Sequence, residues 1–151
     1  MGTPHDADAI TRRLRDFALG IQERLGPAVT VESDDSGAWA SADLRPTRQG
    51  ALGVSWVDFG NELVLSAAGG LGGRWELGRT EDDIDFLEDL VTAVVAGRVV
   101  EVTAGDRSRI DVTLADGSVA VETGSVGLRA LLPKPGWQRW GRRTAYAPYD
   151  G

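Results

Sequence analysis

Residues 80–97 read TEDDIDFLEDLVTAVVAG, and this stretch decides the fold class. Thr80 is a good N-cap, and Glu81, Asp82 and Asp83 put negative charge where a helix dipole favours it. Ile84, Leu87, Val91 and Val94 recur at helical spacing, Leu90 and Val95 widen the stripe, and Gly97 supplies the stop. A helix with one broad apolar face therefore sits in the middle of the chain, and strand-like segments lie on both sides of it.

Upstream, a first helix is expected from about Asp8 to Leu25. Ile10, Leu14, Phe17, Ile21 and Leu25 make its stripe, and Gly26-Pro27 ends it. Short strands follow at Val29–Glu32, Ala38–Leu44, Leu52–Phe59, Glu62–Ala67 and Arg74–Leu77. Turns at Asp34-Asp35-Ser36-Gly37, Arg45-Pro46 to Gly50, Gly60-Asn61 and Gly69–Gly73 separate them. Downstream, Ile110, Val112 and Leu114 alternate with polar residues, and Asp116-Gly117 predicts a two-residue type I′ turn. Such a turn pairs Leu114 with Val119, Val112 with Val121 and Asp111 with Glu122.

The order is helix, four to five strands, helix, two to three strands, tail. It predicts an α+β fold with a mostly antiparallel sheet, an N-terminal helix and a central helix. Residues 1–7 read as a flexible leader and 8–132 as a single domain. Residues 133–151 read as a Pro/Trp/Arg-rich tail packed on that domain.

Composition narrows the chemistry. The chain has 151 residues, 42% hydrophobic and 26% charged, enough for one domain with a true core. It has no cysteine, and its single histidine is His5. Thiol nucleophiles, Ser-His-Asp triads and most zinc sites are thereby disfavoured, and recognition explains the chain better than turnover. No metal or cofactor is expected. The absence of cysteine suits a cytoplasmic protein, and no run of about 18 apolar residues could span a bilayer.

The tail is the foremost candidate site. Trp137, Arg139, Trp140, Arg142 and Arg143 interleave rings with guanidiniums, a combination suited to anchoring a protein partner. From Lys134 onward four cations stand against Asp150, a net of +3, which leaves −10 on the rest of a −7 chain. Rings that stack bases and arginines that pair phosphates make nucleic-acid contact through the tail a further alternative, but the acidic body disfavours it and suits a basic protein partner. A homodimer is compatible with the pattern. The competing reading makes the tail architectural, with Trp137 and Trp140 capping the core.

Trp39, Trp56 and Trp75 fall on three expected strands and form a second candidate, the wall of a pocket for an apolar or sugar-like ligand. An enclosed pocket holding Trp56 or Trp75 beside two acids would favour small-molecule binding or a carboxylate-dependent enzyme. Other motifs fall short. Gly69–Gly73 lacks the Lys-Ser/Thr of a phosphate loop, and Glu32–Gly37 lacks the acids of a calcium loop. Asp82, Asp85 and Asp89 share one side of the central helix and would make at most a weak magnesium site.

The segment Gly73-Arg74-Trp75-Glu76-Leu77-Gly78-Arg79-Thr80, then Val94-Val95-Ala96-Gly97-Arg98-Val99 and the Trp/Arg/Tyr-rich tail, resembles small hypothetical proteins of high-GC bacteria. That resemblance implies no activity. In element order the chain is also similar to secretion chaperones and bacterial immunity proteins, which implies a non-catalytic protein-binding role.

Overall fold

Helix α1 (Ala9–Leu25) buries Thr11, Leu14, Ala18, Ile21 and Leu25, and Ile10 and Phe17 pack partly buried beside them. The computed structural model describes residues 9–35, 39–68, 73–105, 107–125 and 136–150. The leader at residues 1–7, Ser36-Gly37, the loop residues Gly69 to Gly72 and Pro133-Lys134-Pro135 lie outside the described residues. Gly26 and Pro27 turn the end of α1 through one 3₁₀ turn, as their backbone preferences require.

Five strands follow as an antiparallel meander: β1 (Val29–Asp34), β2 (Ala40–Pro46), β3 (Gly53–Asp58), β4 (Leu63–Ala68) and β5 (Arg74–Leu77). Side chains alternate across the sheet. Ala42, Leu44, Val54, Trp56, Leu65, Ala67 and Trp75 fall on the buried face. Gly60, at φ +91°, makes the β3–β4 turn.

Helix α2 (Glu81–Val95) starts on a full capping box. Thr80 Oγ1 accepts from the Asp83 N–H at 3.2 Å, and Asp83 Oδ2 accepts from the Thr80 N–H at 3.3 Å. Ile84, Leu87, Leu90, Val91 and Val94 are fully buried. Each contributes roughly 1.5–3 kcal/mol of transfer free energy, so packing holds this helix in place. The helix ends in a Schellman motif. Arg98 N–H donates to Ala93 O, Gly97 N–H donates to Val94 O, and Gly97 sits at φ +75°. Arg13 of α1 straps the two helices together by donating to Asp85 at 2.6 Å and Glu88 at 2.7 Å.

The second sheet has strand order β8-β7-β6-β9, all antiparallel. It is built from β6 (Val99–Ala104), β7 (Arg107–Thr113), β8 (Val119–Ser125) and β9 (Arg142–Ala145). Val99, Ile110 and Val112 join the cluster formed by α1, α2 and the first sheet, so one core serves both sheets.

Two details differ from the sequence reading. The β7–β8 loop has three residues, with Leu114 N–H donating to Ser118 O and Gly117 at φ +87°. Asp116 Oδ1 stabilises it by accepting from the Ser118 N–H and hydroxyl. The register moves by one residue. Val121 pairs with Asp111 and Val119 with Thr113, and both valines are exposed.

The tail also supplies a strand that its sequence did not announce. The β9 strand pairs with β6 from Val100↔Ala145 to Thr103↔Arg142. Beyond it Tyr149 is 1% exposed, and its hydroxyl donates to Leu52 O at 2.6 Å. Burial, then the charge of Asp43, pushes the Tyr149 hydroxyl pKa above its ordinary value.

Candidate functional site

The inner stripe of α1 carries an alanine, Ala18, between Leu14 and Ile21, and β2 presents Ala40 and Ala42. Where α1 packs over β1 and β2, these short side chains leave space. The result is a cleft of about 340 Å³. Its apolar wall is Leu14, Ala18, Ala40, Ala42 and Trp56. Trp56 is held from the α1 side by Phe17, ring centroids 6.0 Å apart.

The polar wall is Thr11, Arg15, Ser33, Asp34, Asp35, Ser41 and Asp58. Asp58 ends β3, and its position follows from local turn chemistry. Its Oδ1 accepts from the Gly60 N–H at 2.9 Å, the two-residue reach typical of an aspartate opening a turn. Arg79 closes on the same carboxylate, with Nε 3.1 Å from Oδ1 and Nη2 3.1 Å from Oδ2. Thr11 Oγ1 approaches Oδ2 at 3.4 Å. The Asp58 side chain is 1% exposed and that of Arg79 17%, so the ion pair is largely buried, with Nη2 donating to Oδ2. Both Asp58 oxygens accept from the protein, Oδ1 from the Gly60 N–H and Oδ2 from Arg79 Nη2 and the Thr11 hydroxyl. Asp58 therefore helps to shape the cleft. At the rim Arg15 pairs with Asp35, both half-exposed.

The three tryptophans do not line one pocket together. Trp56 lines the cleft. Trp75 is buried in the cross-strand row Trp56–Leu65–Trp75 and belongs to the core. Trp39 is 59% exposed and meets Phe59 edge-on at 5.0 Å. It adjoins the cleft through the chain, because Ala40 and Asp58, the neighbours of Trp39 and Phe59, both line it.

The tail residues divide. Trp137 starts a four-residue helix, α3 (Trp137–Trp140), and is half-buried, whereas Trp140 is 61% exposed. Tyr149, not Trp140, is the buried aromatic of this segment. Arg139, Arg142 and Arg143 are exposed and form no ion pair with a described residue. Arg109 Nη1 reaches Gln138 Oε1 at 2.5 Å and ties α3 to β7.

A buried polar pair in the second sheet has no counterpart in the sequence reading. Glu101 is 3% exposed and accepts from the Tyr146 hydroxyl at 2.7 Å. Burial, then this bond, raises the Tyr146 pKa. Asp82, Asp85 and Asp89 do not collect a metal site. Asp85 is committed to Arg13, and among the described residues no group of three or more His, Asp or Glu could hold a metal ion. No described helix is long and apolar enough to cross a membrane.

Fold and site together define an α+β protein of two antiparallel sheets over one core, with a mixed polar and apolar cleft where the first helix crosses the first sheet. Comparison with protein-family models, curated proteins and solved structures finds no match to this chain.

Proposed function

We propose that this chain is a small-molecule-binding protein and that the α1–β1–β2–β3 cleft is its binding site. The observation that carries this reading is the cleft itself, in which Trp56 and small apolar residues face hydroxyls and carboxylates across about 340 Å³. That volume falls within the usual range for ligand sites, and the lining has the usual balance of an apolar wall with a few polar groups. Binding without turnover fits the single His5 and the engagement of Asp58 by the Gly60 N–H and Arg79. The absence of cysteine suits a reducing compartment such as the cytoplasm.

The test is a fragment screen by NMR, read at the five indole N–H resonances. Ligands are expected to move the Trp56 resonance. Ala42→Leu, which fills the gap from the β2 side, is expected to weaken them more than about tenfold while the chain stays folded. Hits that bind Ala42→Leu equally well place the site elsewhere and defeat the reading.

A second reading is favoured by one observation, the exposed Trp140 among Arg139, Arg142 and Arg143, which are exposed and form no ion pair with a described residue. It gives the tail a protein partner. Exposed aromatics beside arginines are common anchors at interfaces. Capture of a partner from lysate is then expected to fall at least about tenfold when Trp140→Ala and Arg142→Ala are combined. Unchanged capture removes the tail from the contact.

A further inference from the structure

Resting on the second reading above, the tail as the contact for a protein partner, we propose that the partner presents a short acidic segment in extended conformation. This segment adds as a fifth strand beside β9.

The backbone gives the mode. β9 ends the strand order β8-β7-β6-β9, and among the described residues no strand lies beyond it. Its register with β6 runs from Val100↔Ala145 to Thr103↔Arg142, and the Tyr146 N–H continues it by donating to Val99 O at 3.1 Å. Hydrogen-bonded and non-hydrogen-bonded pairs alternate along an antiparallel ladder. Arg142, Thr144 and Tyr146 therefore direct their backbone groups at β6, and Arg143, Ala145 and Ala147 direct theirs away. The Ala147 N–H is used, donating to Gly50 O at 2.8 Å. The N–H and C=O of Arg143 and Ala145 have no backbone partner among the described residues. Arg142, Arg143 and Ala145 are exposed, so this edge is open to solvent. Donors and acceptors at alternate residues of an open edge are what strand addition requires.

Charge gives the partner. Arg142 and Arg143 are successive strand residues and project to opposite faces of the sheet. Arg139 precedes them on α3. All three form no ion pair with a described residue, although the chain's acids outnumber its bases 23 to 16. The carboxylates of β6 and β7 are engaged, Glu101 by the Tyr146 hydroxyl and Asp111 by Arg109. The negative charge of the body acts from further off and is largely screened beyond about 8 Å at physiological ionic strength. A second β9 brought to this edge would set arginine against arginine. Two adjacent acids on an added strand would instead meet one guanidinium on each face. Nucleic acid would meet the same guanidiniums but has no peptide ladder to complete the edge.

The experiment titrates four probes into the full chain at neutral pH. They are the blocked peptide Thr-Val-Glu-Glu-Val-Thr, the same peptide with Gln-Gln at its centre, the acidic peptide with proline at both valines, and a thymidine hexanucleotide. Binding is read at backbone amide resonances, and hydrogen exchange at the amides of Arg143 and Ala145. The acidic peptide is expected to bind about fivefold more tightly than the Gln-Gln peptide, the gain of two exposed ion pairs. At saturation it is expected to slow exchange at both amides at least about tenfold. The proline peptide keeps the charge but lacks ladder donors, and is expected to bind at least about fivefold more weakly. In Arg142→Gln combined with Arg143→Gln, the gap between the acidic and Gln-Gln peptides should close.

Equal binding of the acidic and Gln-Gln peptides overturns the acidic assignment. Binding that leaves exchange at Arg143 and Ala145 unchanged, or that the proline peptide matches, overturns strand addition. Tighter binding of the hexanucleotide overturns the proposal in favour of nucleic acid. If no probe binds, the proposal fails, and the capture experiment with Trp140→Ala and Arg142→Ala decides separately whether the tail touches a protein.

Discussion

Asp58→Ala is expected to lower the unfolding free energy by about 3–5 kcal/mol, the cost of leaving one partner of a buried ion pair uncompensated. Arg79 is the group left behind. Its side chain is 17% exposed, and its two contacting nitrogens lie 3.1 Å from the oxygens that alanine would remove. The Gly60 N–H and Thr11 hydroxyl lose an acceptor in the same step. Urea unfolding should show a lower midpoint with little change in slope, since the folded surface hardly alters. The companion experiment separates a buried charge from a merely helpful contact. In Asp58→Leu combined with Arg79→Met the stranded charge is gone, and most of the lost stability is expected to return. If Asp58→Ala alone costs under about 1 kcal/mol, the pair behaves as a solvated surface contact and does not frame the cleft.

This pair also shows where sequence reading stops. The turn that positions Asp58 is legible, because an aspartate two residues before Gly60 at the end of a strand is ordinary turn chemistry. Its partner is not. Arg79 is 21 residues away and meets Asp58 only because β3, β4 and β5 lie side by side in the first sheet. No periodicity encodes that meeting. The cleft was hidden for a related reason. Ala18, Ala40 and Ala42 each fit their own element, and only the packing of α1 over β2 turns three short side chains into a gap.

The elements themselves were far more legible. Both long helices follow from stripes at 3.6-residue spacing, and the limits of α2 follow from Thr80 and Gly97. The β7–β8 hairpin is the instructive failure. Asp116-Gly117 fits a two-residue turn, but Ser118 gives Asp116 two donors and favours a three-residue loop, and one residue of shift exposes Val119 and Val121. The β9 strand escaped detection because Arg142-Arg143-Thr144-Ala145 has no apolar alternation. It is an edge strand, and its backbone pairing with β6 does not depend on one. Its exposed arginines are a common guard against edge-to-edge association. Some of the tail's cationic character can therefore be explained without any partner.

Gly97→Ala is expected to cost about 3–4 kcal/mol, the second large effect, and the reason lies in the tail. Gly97 sits at φ +75°, where a Cβ alone costs roughly 1–2 kcal/mol. The added methyl would also stand 2.5 Å from Pro148 N and 2.9 Å from Ala147 C, both backbone atoms that cannot swing aside as a side chain does. Residues 147–149 must shift. That movement strains the Tyr149 N–H bond to Val95 O at 2.9 Å and the Tyr149 hydroxyl bond to Leu52 O at 2.6 Å. Gly117→Ala is the control. Gly117 has φ +87° but nothing within 4 Å of the added Cβ, so it should carry the backbone cost alone, about 1–2 kcal/mol. The difference between the two, measured by chemical denaturation, isolates how firmly the C-terminal segment is seated against the end of α2. A matching loosening of Tyr149 should appear as faster hydrogen exchange at its amide in Gly97→Ala. Equal costs at the two glycines would mean that residues 147–149 yield freely, and the segment would then be a surface attachment and not part of the core.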